Sequence, residues 1–533
     1  MPVLNKGKAI YPFWGTSLNL ITGLDPLGLQ TTSEATYAML LPGISNLTNR
    51  MRYYGFYCWL IDFYFKKEKQ GNSIEQYRFI RRAELMLAII MQYSQHPVFQ
   101  ITGSLFANDL KVNNSGNIYD LADGADKLPG KEKLYWKYPS GAFGQYYYGA
   151  MQTIGLITNA VNAYNDTLFY ITDRHPRQKV AGKDLAEAFD ETLTDTIKNV
   201  FYNNVKQGTL KIEDIPELLK FFAIDKIPYP GKEWSFYISM LLDKDYPSAE
   251  IEEQFTYNRK NTFLALINNA TANNNLFDWN IFVLNCYKNQ FGLENNQTDI
   301  GWYCYQLNEY WHYACGTIFW AFLQILGERQ TDQYLPGFIE EFSISIFNKL
   351  KAEIKTHDID KISLADYLNS LSKDNKEEEL FKEIKSAVGS RNSIIAASLG
   401  FHLLFNILVN NRSLIPQLRE YISKQQVIRD GDMVSGLLFL HETANMPFFD
   451  FIKHFVYKRI VYRHELVALR KMNNSMQSTF KFFIDDQKIR YLDVIKPQRT
   501  SPRLNALQNL VYDLNIIDEN NMLTKIGTEI LSM

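Results

Sequence analysis

Apolar positions recur at helical spacing along most of the chain and alternating runs are scarce, which predicts a mainly α-helical protein with only short β-hairpins. The 3.6-residue period runs through residues 45–100, 190–350 and 390–470. Tyr53 to Phe65 (YYGFYCWLIDFYF) is apolar nearly all round, the pattern of a helix enclosed by others. Arg81 to Tyr93 continues in that style, and EKQGNS (Glu68 to Ser73) supplies the turn between them. Ile394 to Val409 is 16 residues long and contains His402 and Asn406, too short and too polar for a membrane span, so it reads as a buried helix. Residues 103–141 keep no period and read as an irregular connection rich in Gly, Asp and Lys. Residues 367–390 are strongly charged, as in a solvated helix or linker. Hairpins are expected near 155–175 and 482–525.

One supersecondary pattern occurs twice. A helix ends in Gly155-Leu156-Ile157, and another in Asn515-Ile516-Ile517. A polar tip follows each, then Ile171-Thr172 or Leu523-Thr524, then a helix opened by Gly182 and Leu185 or by Gly527 and Ile530. Gly or Asn after a helix suits a left-handed C-cap. Both stretches resemble winged-helix modules, in which a helix-turn-helix carries a β-hairpin wing. The resemblance implies a fold and leaves function open, because winged helices serve protein assembly as well as DNA binding. In the first copy ten positions separate Thr172 from Gly182, against three from Thr524 to Gly527, so that wing carries an insertion. The expected organisation is a helical N-terminal domain (1–140), a winged-helix-like module (141–200), a helical domain (201–450) and a basic winged-helix-like module (451–533).

Length agrees with several domains, since 533 residues exceed what one core of ~250–300 residues fills. Aromatics at 14% exclude a disordered chain, and a formal charge of −2 leaves no global field toward nucleic acid or membrane. Four Cys make no disulfide framework, and the opening MPVLNKGKAIYPFWG has no apolar signal core. A soluble, cytoplasmic protein with no membrane partner is therefore expected.

Local charge changes that picture. Residues 451–503 hold twelve Lys/Arg against four carboxylates, and polyphosphate is the usual partner of such a surface. Lys496, Arg499 and Arg503 are the leading candidates for nucleic-acid contact, with Arg459, Arg463, Arg470 and Lys471 behind them. The bland alternative is a solvated basic face or one that meets an acidic subunit. Asn46, Asn49, Arg50 and Arg52 precede a run of aromatic residues, and guanidinium groups pair with phosphate or carboxylate. They form either a polar knot at a cleft or, preferably, ties from Arg50 or Arg52 to an interior acid such as Asp62 or Glu84. Cys304, His312 and Cys315 share a helical face but lack any C-x-x-C pair, so no metal is assigned. His441, His454 and His464 form no H-E-x-x-H, and phosphate-loop, dinucleotide and G-x-S-x-G patterns are absent.

The phrases Asp25-Pro26-Leu27-Gly28-Leu29, Leu41-Pro42-Gly43-Ile44-Ser45-Asn46 and Arg50-Met51-Arg52-Tyr53-Tyr54 resemble the openings of large uncharacterised bacterial proteins of anti-phage defence islands. Arg463-His464-Glu465-Leu466-Val467-Ala468 before the hairpin Phe482 to Tyr491 fits the same resemblance. It implies no catalytic residue and no cofactor. The expected function is a non-enzymatic DNA- or RNA-binding or adaptor subunit that works with other protein subunits. A nuclease-like effector with an unrecognised acidic site, or a purely protein-binding scaffold, are the alternatives.

Overall fold

Every residue from Arg52 to Ile61 in the helix Arg52–Lys67 is buried, as its all-round apolar sequence requires. Its Phe56 and Trp59 join Phe189, Phe201 and Phe222 in one aromatic cluster, with the Trp59 and Phe201 rings 5.0 Å apart and edge-on. The computed structural model describes residues 19–20, 25–68, 71–95, 99–128, 133–161, 166–173, 179–245, 256–289, 297–329, 331–354, 358–425, 431–472 and 477–532. These residues are mainly helical, with a few short strand pairs. The opening segment 1–15 and the middle of the first wing's insertion (174–178) lie outside the described residues.

The chain forms two compact units, each discontinuous: Met1–Ser33 with Cys304–Thr500, and Glu34–Tyr303 with Ser501–Met533. Of the four segments expected from sequence, 141–200 lies wholly inside the second unit, while 1–140, 201–450 and 451–533 are divided after Ser33, Tyr303 and Thr500.

The second unit contains both copies of the repeated pattern, and they match bond for bond. Gly155 (φ 82°) and Asn515 (φ 55°) take the left-handed position after helices Tyr148–Ile154 and Leu504–Asp513. Leu156 N–H donates to Met151 O at 2.9 Å, and Ile516 N–H donates to Val511 O at 3.0 Å. Thr172 donates its amide to Leu156 O and its hydroxyl to Gly155 O; Thr524 does the same to Ile516 O and Asn515 O, the hydroxyl bonds both 2.6 Å. Each threonine hydroxyl then accepts a glycine amide in the first turn of the next helix. One is Gly182 at the start of Gly182–Glu191; the other is Gly527, third residue of Lys525–Glu529, whose N-cap is Thr524 itself. The first wing is the antiparallel hairpin Ile157–Val161 with Thr167–Ile171. The second is reduced to a single bridge, Ile517 to Leu523, and gains a neighbour where Leu276 bridges Met522.

The two glycines are required by close approach. A Cβ on Gly182 would lie 2.0 Å from Leu156 O, and one on Gly527 2.3 Å from Ile516 O. Both obstacles are backbone and cannot rotate away. Gly182→Ala and Gly527→Ala are each expected to cost about 1–3 kcal/mol, measurable as lost hydrogen-exchange protection in the adjoining hairpin or bridge. Wild-type protection in either variant would contradict the close approach.

Residues 103–141 depart from the irregular connection expected. They include helices Ser104–Asn113 and Leu121–Ala125 and the strand Ile118–Asp120, which pairs antiparallel with Thr209–Lys211. The Ser104–Asn113 helix buries only Ala107, so it leaves no apolar period to read.

In the first unit, Ser393–Asn411 is the one described helix long and apolar enough to cross a membrane. Two-thirds of its apolar window is buried inside the protein, and Phe401 and Phe405 pack on Phe451, so it serves as a core helix. A three-stranded antiparallel sheet places Lys488–Tyr491 between Gln333–Tyr334 and Phe482–Asp485. The charged stretch after residue 370 forms the helix Glu377–Gly389, whose Glu377 is buried and bonded to Asn410.

Candidate functional site

Within the first unit the structure joins two of the phrases singled out in sequence. Asp25 stands at φ 41°, and its carboxylate accepts the amides of Leu29 and Gln30 at 2.8 and 3.0 Å. That turn aims its carbonyls at the helix Tyr462–Lys471. Arg463 Nε donates to Leu27 O at 2.7 Å, and Lys471 Nζ donates to Asp25 O at 2.7 Å. Gly28 (φ 64°) admits this contact, since a Cβ there would lie 3.0 Å from Val467. His464 Nδ1 lies 2.9 Å from Pro26 O, while its Nε2 accepts the amide of Lys481 at 2.9 Å. The second bond places the ring proton on Nδ1. Burial holds the imidazole down to about 4, against a weaker opposing effect of the Pro26 carbonyl.

Other candidate cations are also engaged internally. Arg459 donates to Ser435 O and lies 4.3 Å from the Phe439 ring centroid. Arg499 donates to Gln306, approaches the buried Glu309 at 3.9 Å and covers the Phe381 ring. Lys496 and Arg470 are exposed. In the second unit, Arg503 donates to Ala38 O and Leu41 O. Three residues expected to act together on a phosphate backbone therefore differ: Arg499 and Arg503 hold interior oxygens, and Lys496 alone points outward as an exposed cation.

Asn46, Asn49, Arg50 and Arg52 hold the second unit together. Asn46 donates to Ser501 O, and Asn49 accepts from Asn509. Arg50 pairs with Asp513 at 3.0 Å, and Asp513 also accepts the Met51 amide at 2.9 Å. Arg52 forms a two-pronged pair with Glu233 and donates to Ala223 O. The acids reached are thus Asp513 and Glu233, not Asp62 or Glu84. Asn46, Asn49 and Arg50 tie the helix Leu504–Asp513 to the rest of the unit. Burial pushes Asp513 up to about 7, in spite of Arg50.

Cys304 and Cys315 are buried thiols, raised by desolvation, Cys315 to about 12. His312 contacts Gln30 at 3.4 Å. Among the described residues no three His, Cys, Asp or Glu side chains converge as a metal site.

Sequence reasoning missed an exposed apolar stripe on the helix Tyr462–Lys471. Tyr462, Leu466 and Leu469 are 42%, 45% and 52% exposed, at helical spacing on one face. The opposite face buries Arg463, His464, Val467 and Ala468. A π-helical turn, Val456–Val461, precedes it and brings Tyr457 beside Tyr462, with the Lys458 ammonium 5.3 Å from both ring centroids. Apolar residues on both faces of a ten-residue helix were the signal available in sequence.

No family model, curated protein or solved structure matches this chain.

Proposed function

We propose that this protein is a non-enzymatic adaptor subunit of a multi-protein assembly, and that its helix Tyr462–Lys471 docks an acidic amphipathic segment of a partner protein. The exposed stripe Tyr457, Tyr462, Leu466 and Leu469 supports this most directly. Adjacent apolar side chains this exposed mark an interaction surface. Lys458 is exposed beside it, with its ammonium near the Tyr457 and Tyr462 rings, and this charge favours an acidic partner.

Two further observations favour a protein partner over nucleic acid. In winged helices that read DNA the helix before the wing enters the groove and its surroundings meet phosphates. Here the corresponding stretches, FGQYYYGAMQTI (143–154) and LNALQNLVYD (504–513), contain no Lys or Arg. Moreover, at least eight of the twelve cations between 451 and 503 have oxygen partners within the chain, Lys453 and Arg490 in exposed surface pairs and the others at least partly buried, which weakens the electrostatic case made from sequence.

The test begins with cross-linking of the assembly in its native cells and identification of the segment joined to Lys458. A synthetic peptide of that segment should be acidic and bind the purified chain, more weakly as salt rises. Leu466→Glu combined with Leu469→Glu should abolish binding while the fold persists. Double-stranded DNA should bind with a salt slope near zero. A DNA slope of about −5, as for six phosphate contacts, or full peptide binding by the double variant would overturn the reading.

A further inference from the structure

We infer that the second unit has a binding pocket for a small organic anion, a phosphate monoester or a carboxylate with an apolar body. The site is separate from the docking helix and does not depend on that reading. A cavity of about 190 Å³ is lined by Arg52, Thr192, Lys220, Phe221, Lys226, Ile227 and Pro228. Three of these carry positive charge, and none carries negative charge. Drug-sized ligands occupy roughly 300–1,000 Å³, so the occupant is smaller than a nucleotide.

The floor is prepared for an acceptor. Arg52 is buried, and its guanidinium is fixed by Glu233 through Nε and Nη2 and by Ala223 O through Nη1. A guanidinium has five N–H donors, so one on each Nη remains for a ligand oxygen. The Phe189 ring, 4.8 Å from the guanidinium carbon, holds the fork in place. Glu233 compensates Arg52, and Glu217 pairs with Lys220 at the rim. Lys226 is exposed, and among the described residues it has no ion-pair partner. That leaves an uncompensated cation at the mouth. Phe221, Ile227 and Pro228 provide the wall for the apolar body.

The full chain is titrated with phenyl phosphate and, separately, with phenylacetate, which distinguish the two anion types. At least one should bind saturably, and phenylguanidinium, of similar size and opposite charge, should not. Lys220→Glu with Lys226→Glu lie on the exposed rim and should leave the melting profile intact. They should weaken binding by about tenfold or more, the effect of losing charged hydrogen-bond donors. Should the charge reversals disturb folding, Lys220→Met with Lys226→Met is read in the same way. Absence of saturable binding of either anion, or equal binding by wild type and the rim variants, would overturn the assignment.

Discussion

Glu84→Ala is expected to destabilise the second unit by about 4 kcal/mol or more, the largest effect of any single substitution considered. Glu84 lies in the helix Ser73–Met91 and is fully buried. One carboxylate oxygen accepts the Tyr57 hydroxyl at 2.9 Å and the Phe143 amide at 2.6 Å. The other accepts the Ala142 amide at 3.0 Å and the Tyr135 hydroxyl. The two amides open the helical stretch that leads into the first winged-helix-like module, so the carboxylate supplies what that helix start lacks internally. Gly141 (φ 73°) makes room, since a Cβ would fall 2.3 Å from the carboxylate. Alanine would leave four buried donors unsatisfied at about 1–3 kcal/mol each. Relief of the desolvation that raises the Glu84 pKa offsets only part of this. Glu84→Gln keeps one oxygen acceptor and should lose roughly half as much, because its amide meets donors on the other side. Hydrogen exchange across Tyr148–Ile154 is the local readout. An alanine variant within about 1 kcal/mol of wild type would show that other groups hold this corner.

Much of the fold was legible because its determinants are local. The enclosed helix Arg52–Lys67 and the core helix Ser393–Asn411 follow from unbroken apolar sequence. The twin corners were visible because each position has a stereochemical duty: a left-handed residue after the helix, a threonine that bonds two carbonyls, a glycine where no Cβ fits. Partnership across the chain was not legible. Nothing near Arg463 in sequence announces the Leu27 and Gly28 carbonyls, and nothing near Arg50 announces Asp513. A basic run looks solvated until its acceptors arrive from hundreds of residues away. The stripe was hidden for the opposite reason. Leu466 and Val467 are equivalent in hydropathy, and only tertiary packing exposes the first and buries the second.

The two units are expected to respond to pH with opposite signs. In the first, His464 titrates near 4 when folded against an ordinary value of 6.5. Between those values the unfolded chain binds the proton that the folded unit refuses, so stability is full above pH 6.5 and falls as pH drops toward 4. A shift of that size corresponds to about 3 kcal/mol. The physical cause is burial of an imidazole whose two nitrogens already serve Pro26 O and the Lys481 amide. In the second unit, Asp513 titrates near 7 when folded against 3.8. There the folded unit holds the proton more tightly, so this group favours folding most at low pH and loses that advantage as pH rises from 4 to 7. The corresponding limit is about 4 kcal/mol. Hydrogen exchange in the helices Tyr462–Lys471 and Leu504–Asp513 reports the two units separately. From pH 7 to 5, after correction for intrinsic exchange, protection should fall in the first helix and rise in the second. His464→Gln retains a donor and an acceptor without titrating, and should flatten the first response. Asp513→Asn should flatten the second even if it lowers stability at every pH by leaving Arg50 without its charge partner. Parallel responses in the two helices, or slopes that survive both substitutions, would assign the pH dependence to other groups.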